Sequence, residues 1–156
     1  MVKEWNQNNT DKLQMYSIKA LAKRREALAK SLPEDKQYMK EIDQQEYCCI
    51  TGVSSNLEVD HVMPLSKGYW GNSKGNLMKL YQPLNSSKHD NNIFNWIEQM
   101  EQERLNYLLP EGIEMTVDQF RQKVTEVLKV KAEEKGLTFE QYKQQYEEEY
   151  NRRKSE

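Results

Sequence analysis

The chain has 156 residues, of which 37% are hydrophobic and 31% charged, the size of one domain with its own core and the polarity of a soluble, helix-rich protein. It contains no run of 18 apolar residues, and its first residues, MVKEWNQNNT, hold no hydrophobic stretch. Neither a membrane span nor a secretory signal is expected, and the reading is cytoplasmic. A net charge of −2 and a pI near 5.8 exclude a protein uniformly coated in basic side chains for nucleic acid. The acidity sits mostly in residues 91–156, with ten Lys/Arg against fourteen Asp/Glu, whereas residues 1–46 hold nine against eight and residues 47–90 four against three.

The first periodic segment spans residues 11–30, with Thr10 as cap and no Gly or Pro inside. At about 100° per residue, Leu13, Ile18, Leu21, Leu28 and Leu32 share one face, and Lys12, Lys19, Lys23 and Lys30 form a stripe opposite. That stripe is either the solvated side of an amphipathic helix or a track along phosphates. Ser31-Leu32-Pro33-Glu34 reads as a capping-box start for a second helix reaching about Gln45, with Tyr38 and Ile42 on its buried face.

Residues 57–90 carry the chemistry. Leu57, Val59 and Val62 alternate imperfectly with polar residues, a short strand ending near Pro64. Residues 66–75 hold three glycines and no periodicity, so they form a loop. A second strand follows over residues 76–81, with Leu77 or Leu80 turned inward, and Pro83 suits the first turn of a helix. The order is strand, loop, strand, helix. Both histidines of the chain fall in this stretch. Asp60 and His61 are adjacent, so on a strand they face opposite ways. Asn85 and His89 are four apart, so on a helix they share a face. A carboxylate with an amide or imidazole can hold a hard divalent cation, while a neutral histidine deprotonates water, the inventory of a one-metal phosphodiesterase.

Further along, Ile93, Trp96, Ile97 and Met100 predict a helix running to Leu108, before Pro110. Thr116-Val117-Asp118-Gln119 and Thr138-Phe139-Glu140-Gln141 are capping boxes, with Gly136 ending the first of these helices. In the last helix Phe139, Tyr142, Tyr146 and Tyr150 form a narrow stripe that suits docking on the protein's own core. Glu147, Glu148 and Glu149 would repel DNA and are expected to face solvent.

Over residues 47–91 the chain resembles the HNH endonucleases, through Asp60-His61, then Asn76-Leu77 after the Gly-rich loop, then Asn85-Ser86-Ser87-Lys88. The resemblance implies an α+β chain in which a ββα-metal finger (47–91) is embedded between helical segments 1–46 and 92–156, in one compact domain. It implies His61 as the general base, Asp60 and Asn85 as ligands of one Mg²⁺ or Mn²⁺, and Asn76 bracing the loop beside the catalytic His61. His89 stands where some members carry a last metal-binding histidine and others carry no ligand. Lys88 either contacts phosphate or solvates its helix. Lys19, Lys23, Lys67 and Lys74 complete the basic residues open to a nucleic acid.

Many HNH fingers are stapled by a zinc on two Cys pairs. Here Thr51, Tyr81 and Leu84 stand at three of those positions and only Cys48 remains, so no structural zinc is expected. Packing of Tyr81 and Leu84 against the Cys48 turn would do that work, and two thiols suit a reducing compartment. The resemblance implies hydrolysis of DNA to a 5′ phosphate and a 3′ hydroxyl, as nicks by a monomer or double-strand breaks by a dimer. It also implies kinship with small phage-type HNH proteins, some of which work beside DNA-packaging proteins. The other readings are a catalytically silent DNA- or protein-binding module and a toxin-type nuclease domain.

Overall fold

The computed structural model describes residues 32–154 together with residues 18, 19, 21–23, 25 and 26. These latter residues are helical, and Ile18 and Leu21 are exposed, as is Leu32. The expected apolar face is thus open at these three positions. Thr10, Lys12, Leu13, Leu28 and Lys30 lie outside the described residues.

Helix α1 (Pro33–Asp43) buries Tyr38 and Ile42 as expected. Its start differs by one residue from the Ser31–Glu34 box. Leu32 occupies the cap, and the buried Asp35 carboxylate accepts from Leu32 N–H at 2.7 Å. A buried acceptor that also closes the first turn outcompetes an exposed Glu34.

Strands β1 (Leu57–His61) and β2 (Leu77–Tyr81) pair antiparallel, with Asp60 opposite Met78 and His61 opposite Leu77. Both Leu77 and Leu80 are fully buried. Leu77 packs with Tyr38 and Ile42, whereas Leu80 joins the main core, so the small sheet is covered on both faces. The chain then enters α2 (Gln82–Lys88), with Pro83 in its first turn.

The remaining helices are α3 (Ile93–Gln99), α4 (Gln102–Leu108), α5 (Val117–Glu134) and α6 (Phe139–Lys154). One long helix over 93–108 is therefore not formed. Met100 and Glu101 are extended, and the open carbonyls of α3 are taken by Arg121 of α5, at 2.8 Å to Ile97 and 2.9 Å to Glu98. Neither Gly nor Pro marks the break; a distant guanidinium stabilises it. The Thr116 box closes through Gln119, and the Thr138 box through Gln141. One hydrophobic cluster runs from Cys48 to Tyr146, so residues 47–91 and the carboxy-terminal helices share a core.

The aromatic stripe of α6 docks on the segment between the strands. Tyr142 donates to the Gly75 carbonyl at 2.7 Å, Tyr146 to the Val62 carbonyl at 2.9 Å, and Tyr150 to the Asp90 carbonyl at 3.0 Å. Trp70 stands edge-on to the rings of Tyr142 and Tyr146. Gly75 has a positive φ of 88°, and a Cβ there would fall 2.6 Å from the Lys131 carbonyl, so glycine is required. The acidic run does not simply face solvent: Glu149 accepts from Tyr69 N–H and Glu147 from the Asn92 amide, leaving Glu148 exposed.

Burial holds the Tyr142 and Tyr146 hydroxyls well above the usual phenol value of 10.0. Groups protonated more tightly in the fold than in the unfolded chain give stability that is complete below about pH 10 and falls as pH rises past it. Urea midpoints are therefore expected to drop in that range. Tyr146→Phe should cost about 1–3 kcal/mol at neutral pH, because the buried Val62 carbonyl loses its donor, and should flatten the alkaline fall.

Candidate functional site

A pocket of about 460 Å³ opens where β1 meets α2. Asp60, His61, Asn85 and His89 all line it, with Pro64, Ser66 and Asp90 among the other walls. Four residues spread over 30 positions of chain thus converge on one cavity.

Asp60 is 6% exposed. Burial pushes its carboxyl above the ordinary carboxylate range; the Lys88 ammonium pulls it back and the neighbouring Glu58 adds to the rise. Its Oδ1 accepts from Lys88 Nζ at 3.3 Å. Oδ2 lies 3.2 Å from the same ammonium, but outside hydrogen-bonding geometry. Oδ2 is the one buried side-chain polar atom without a hydrogen bond among the described residues.

His61 follows on the strand, and its Nε2 lies 2.7 Å from Asn72 Oδ1. With an amide oxygen facing it, Nε2 carries the proton, and Nδ1 is the nitrogen able to accept one. Asn72 was not among the residues expected at the site; it sits in an aperiodic loop, and only its closeness to His61 reveals it.

The loop that delivers Asn72 is held by Asn76, which is fully buried. Asn76 Oδ1 accepts from Met63 N–H at 2.6 Å, and its amide donates to Gly71 and Met63 carbonyls at 2.7 and 3.3 Å. It lies outside the pocket lining. Asn76 braces the loop as expected, and is a positioning residue rather than one that touches reacting atoms.

Asn85 donates its amide to Glu58 at 2.7 Å. That bond identifies the nitrogen end and leaves the carbonyl oxygen as the atom that could accept or coordinate. His89 follows the last residue of α2 with φ 48° and ψ −129°, and its ring is 79% exposed. This backbone region is costly for any residue with a Cβ. Only glycine adopts it freely.

Lys88 departs most from expectation. Its side chain is 0% exposed, and Nζ donates to Asp60 and, at 3.0 Å, to the His61 carbonyl. It is neither solvated nor placed to meet a phosphate. Lys67 is half-buried, its ammonium 5.7 Å from the Tyr150 ring, and Lys74 is exposed. Lys19 is exposed and Lys23 half-buried. None of these four lines the pocket. Tyr69 donates to Glu26 at 3.2 Å, which brings Glu26 beside the loop of Lys67 and Lys74.

At the Cys48 turn, Cys48 Sγ accepts from the N–H groups of Thr51 and Tyr81 at 3.4 and 3.3 Å, and Leu84 is buried in the same cluster. Burial pushes the neighbouring Cys49 thiol up to about 12. Among the described residues no three His, Cys, Asp or Glu side chains gather as a metal cluster. Any cation here would rest on one carboxylate oxygen, one amide oxygen and one imidazole. That set suits a Mg²⁺ or Mn²⁺ ion that keeps several waters and shares its remaining positions with phosphate. The hydrogen-bond-deficient Asp60 Oδ2 fits such an ion.

No family model matches this chain, and no curated protein or solved structure matches it either. No helix among the described residues is long and apolar enough to cross a membrane.

His89→Gly is expected to raise stability by about 1 kcal/mol, since glycine relieves the strained φ. Urea unfolding checks this; an unchanged or lower midpoint would mean the ring returns more than the strain costs.

Proposed function

We propose that the chain is a metal-dependent endonuclease of the HNH kind, hydrolysing DNA phosphodiester bonds in the Asp60–His61–Asn85–His89 pocket. The observation that carries the reading is the convergence of these four side chains on one cavity. Two features support it: the Asp60 oxygen without a hydrogen bond, and the strained backbone of His89 at the cavity edge.

His61 takes a proton from water at Nδ1, and Asn72 holds the ring in the tautomer that allows it. Asp60, Asn85 and His89 are the residues that would hold the cation, with Glu58 orienting the Asn85 amide. When bound, Mg²⁺ or Mn²⁺ supplies Lewis-acid stabilisation of charge building on the phosphate. Exposed Lys74 and the 18–26 segment bearing Lys19 and Lys23 give the phosphate backbone a basic approach beside the loop. Lys88 has no part in that approach.

Nicking of supercoiled plasmid should require Mg²⁺ or Mn²⁺ and stop with EDTA. His61→Ala should lose about 10²–10⁴-fold in rate while remaining folded, and Asn72→Ala about 10-fold or more. Undiminished nicking by pure His61→Ala would sink the assignment. Neutralising Lys19 and Lys23 together should weaken DNA binding and reduce the salt slope by about 0.9 per lost phosphate contact; an unaltered slope removes that segment from the interface.

A further inference from the structure

We propose that Lys88 is the resident counter-charge of this metal site, a positioning residue that neutralises Asp60 before a divalent cation arrives and then shares the carboxylate with it. The proposal rests on the metal-site reading above and deepens it.

The geometry has three parts. Lys88 is wholly buried at the end of α2, with Nζ 3.3 and 3.2 Å from the two oxygens of Asp60. The same ammonium donates to the carbonyl of His61, so one cation fixes two consecutive residues of the pocket. Asp60 Oδ1 takes the Lys88 hydrogen bond, whereas Oδ2 has none. Oδ2 is thus ion-paired with the ammonium but not hydrogen-bonded to it, and it is the oxygen a second cation would share.

A carboxylate 6% exposed is costly to bury without a positive partner. In a site that depends on the divalent ion alone, that partner exists only when the ion is bound, and folding becomes tied to metal. Lys88 supplies a positive partner tethered to the chain. The same charge repels an incoming cation. Two consequences follow: the metal-free chain folds, and the metal binds more weakly than it would to an unpaired Asp60.

The test measures Mn²⁺ binding to the full chain by electron paramagnetic resonance, and Tm in EDTA and in Mn²⁺. Three proteins are compared: the unmodified chain, Lys88→Met, and the double variant Asp60→Asn/Lys88→Met. The unmodified chain should bind Mn²⁺ with a small rise in Tm. Lys88→Met in EDTA should melt on the order of 10 °C lower, as expected for a buried carboxylate stripped of its partner. Mn²⁺ should restore most of that loss, with a Kd about tenfold lower than in the unmodified chain. The double variant, with neither charge, should melt near the unmodified chain in EDTA and ignore Mn²⁺. Equal Mn²⁺ affinity and equal Mn²⁺-induced Tm rise in Lys88→Met and the unmodified chain would overturn the proposal, making Lys88 an ordinary structural ion pair. So would Lys88→Met remaining unfolded in millimolar Mn²⁺ while the double variant folds. Absence of Mn²⁺ binding by the unmodified chain would overturn the metal site itself, and this inference with it.

Discussion

The hydroxyls of Tyr142 and Tyr146 hold the two ends of the segment between the strands. One grips the Val62 carbonyl just past β1 and the other the Gly75 carbonyl just before β2. Between these points the chain has little regular structure of its own, and its backbone groups need partners from elsewhere. Asn76 supplies three from inside, Trp70 packs against the same tyrosine rings, and Tyr38 accepts from Gly75 N–H on the opposite side. Asn72 stands beside His61 next to Gly71, whose carbonyl Asn76 holds. A ring of polar contacts to buried backbone holds this segment in place.

Charge is distributed by a similar logic. The pocket holds one buried carboxylate, and the chain places one buried ammonium on it. Three further acids take hydrogen bonds: the exposed Glu58 from Asn85, and the half-buried Glu147 and Glu149 from Asn92 and the Tyr69 backbone. These hydrogen bonds fix where the negative charges sit without cancelling them, so the field around the cavity follows their placement and not the net charge alone.

Much of the frame could be read from local pattern. Alternating apolar residues and Pro83 specify strand, loop, strand and helix; Thr116 and Thr138 specify helix starts; the step of Tyr142, Tyr146 and Tyr150 specifies a docking face. What escaped reading depends on partners distant in sequence. The break at Met100–Glu101 needs Arg121, and the inward turn of Glu147 and Glu149 needs Asn92 and Tyr69. Within the site, Asp60, His61, Asn85 and His89 follow from residue type and spacing. Lys88 and Asn72 do not, because a lysine ending a helix and an asparagine in a glycine-rich loop are ordinary surface residues until something is placed against them.

The docking of α6 also dictates an order of events. Tyr146 and Val62 are 84 residues apart, Tyr142 and Gly75 are 67 apart, and Glu149 and Tyr69 are 80 apart. Contacts of such separation close late, after the local hairpin and helices have formed. On the ribosome, the hairpin of Asp60 and His61 emerges well before the helix that fixes the loop between its strands. The frame of the loop is accordingly complete only once α6 has docked. A chain lacking α6 would carry Asp60 and His61 without the contacts that frame the loop between the strands.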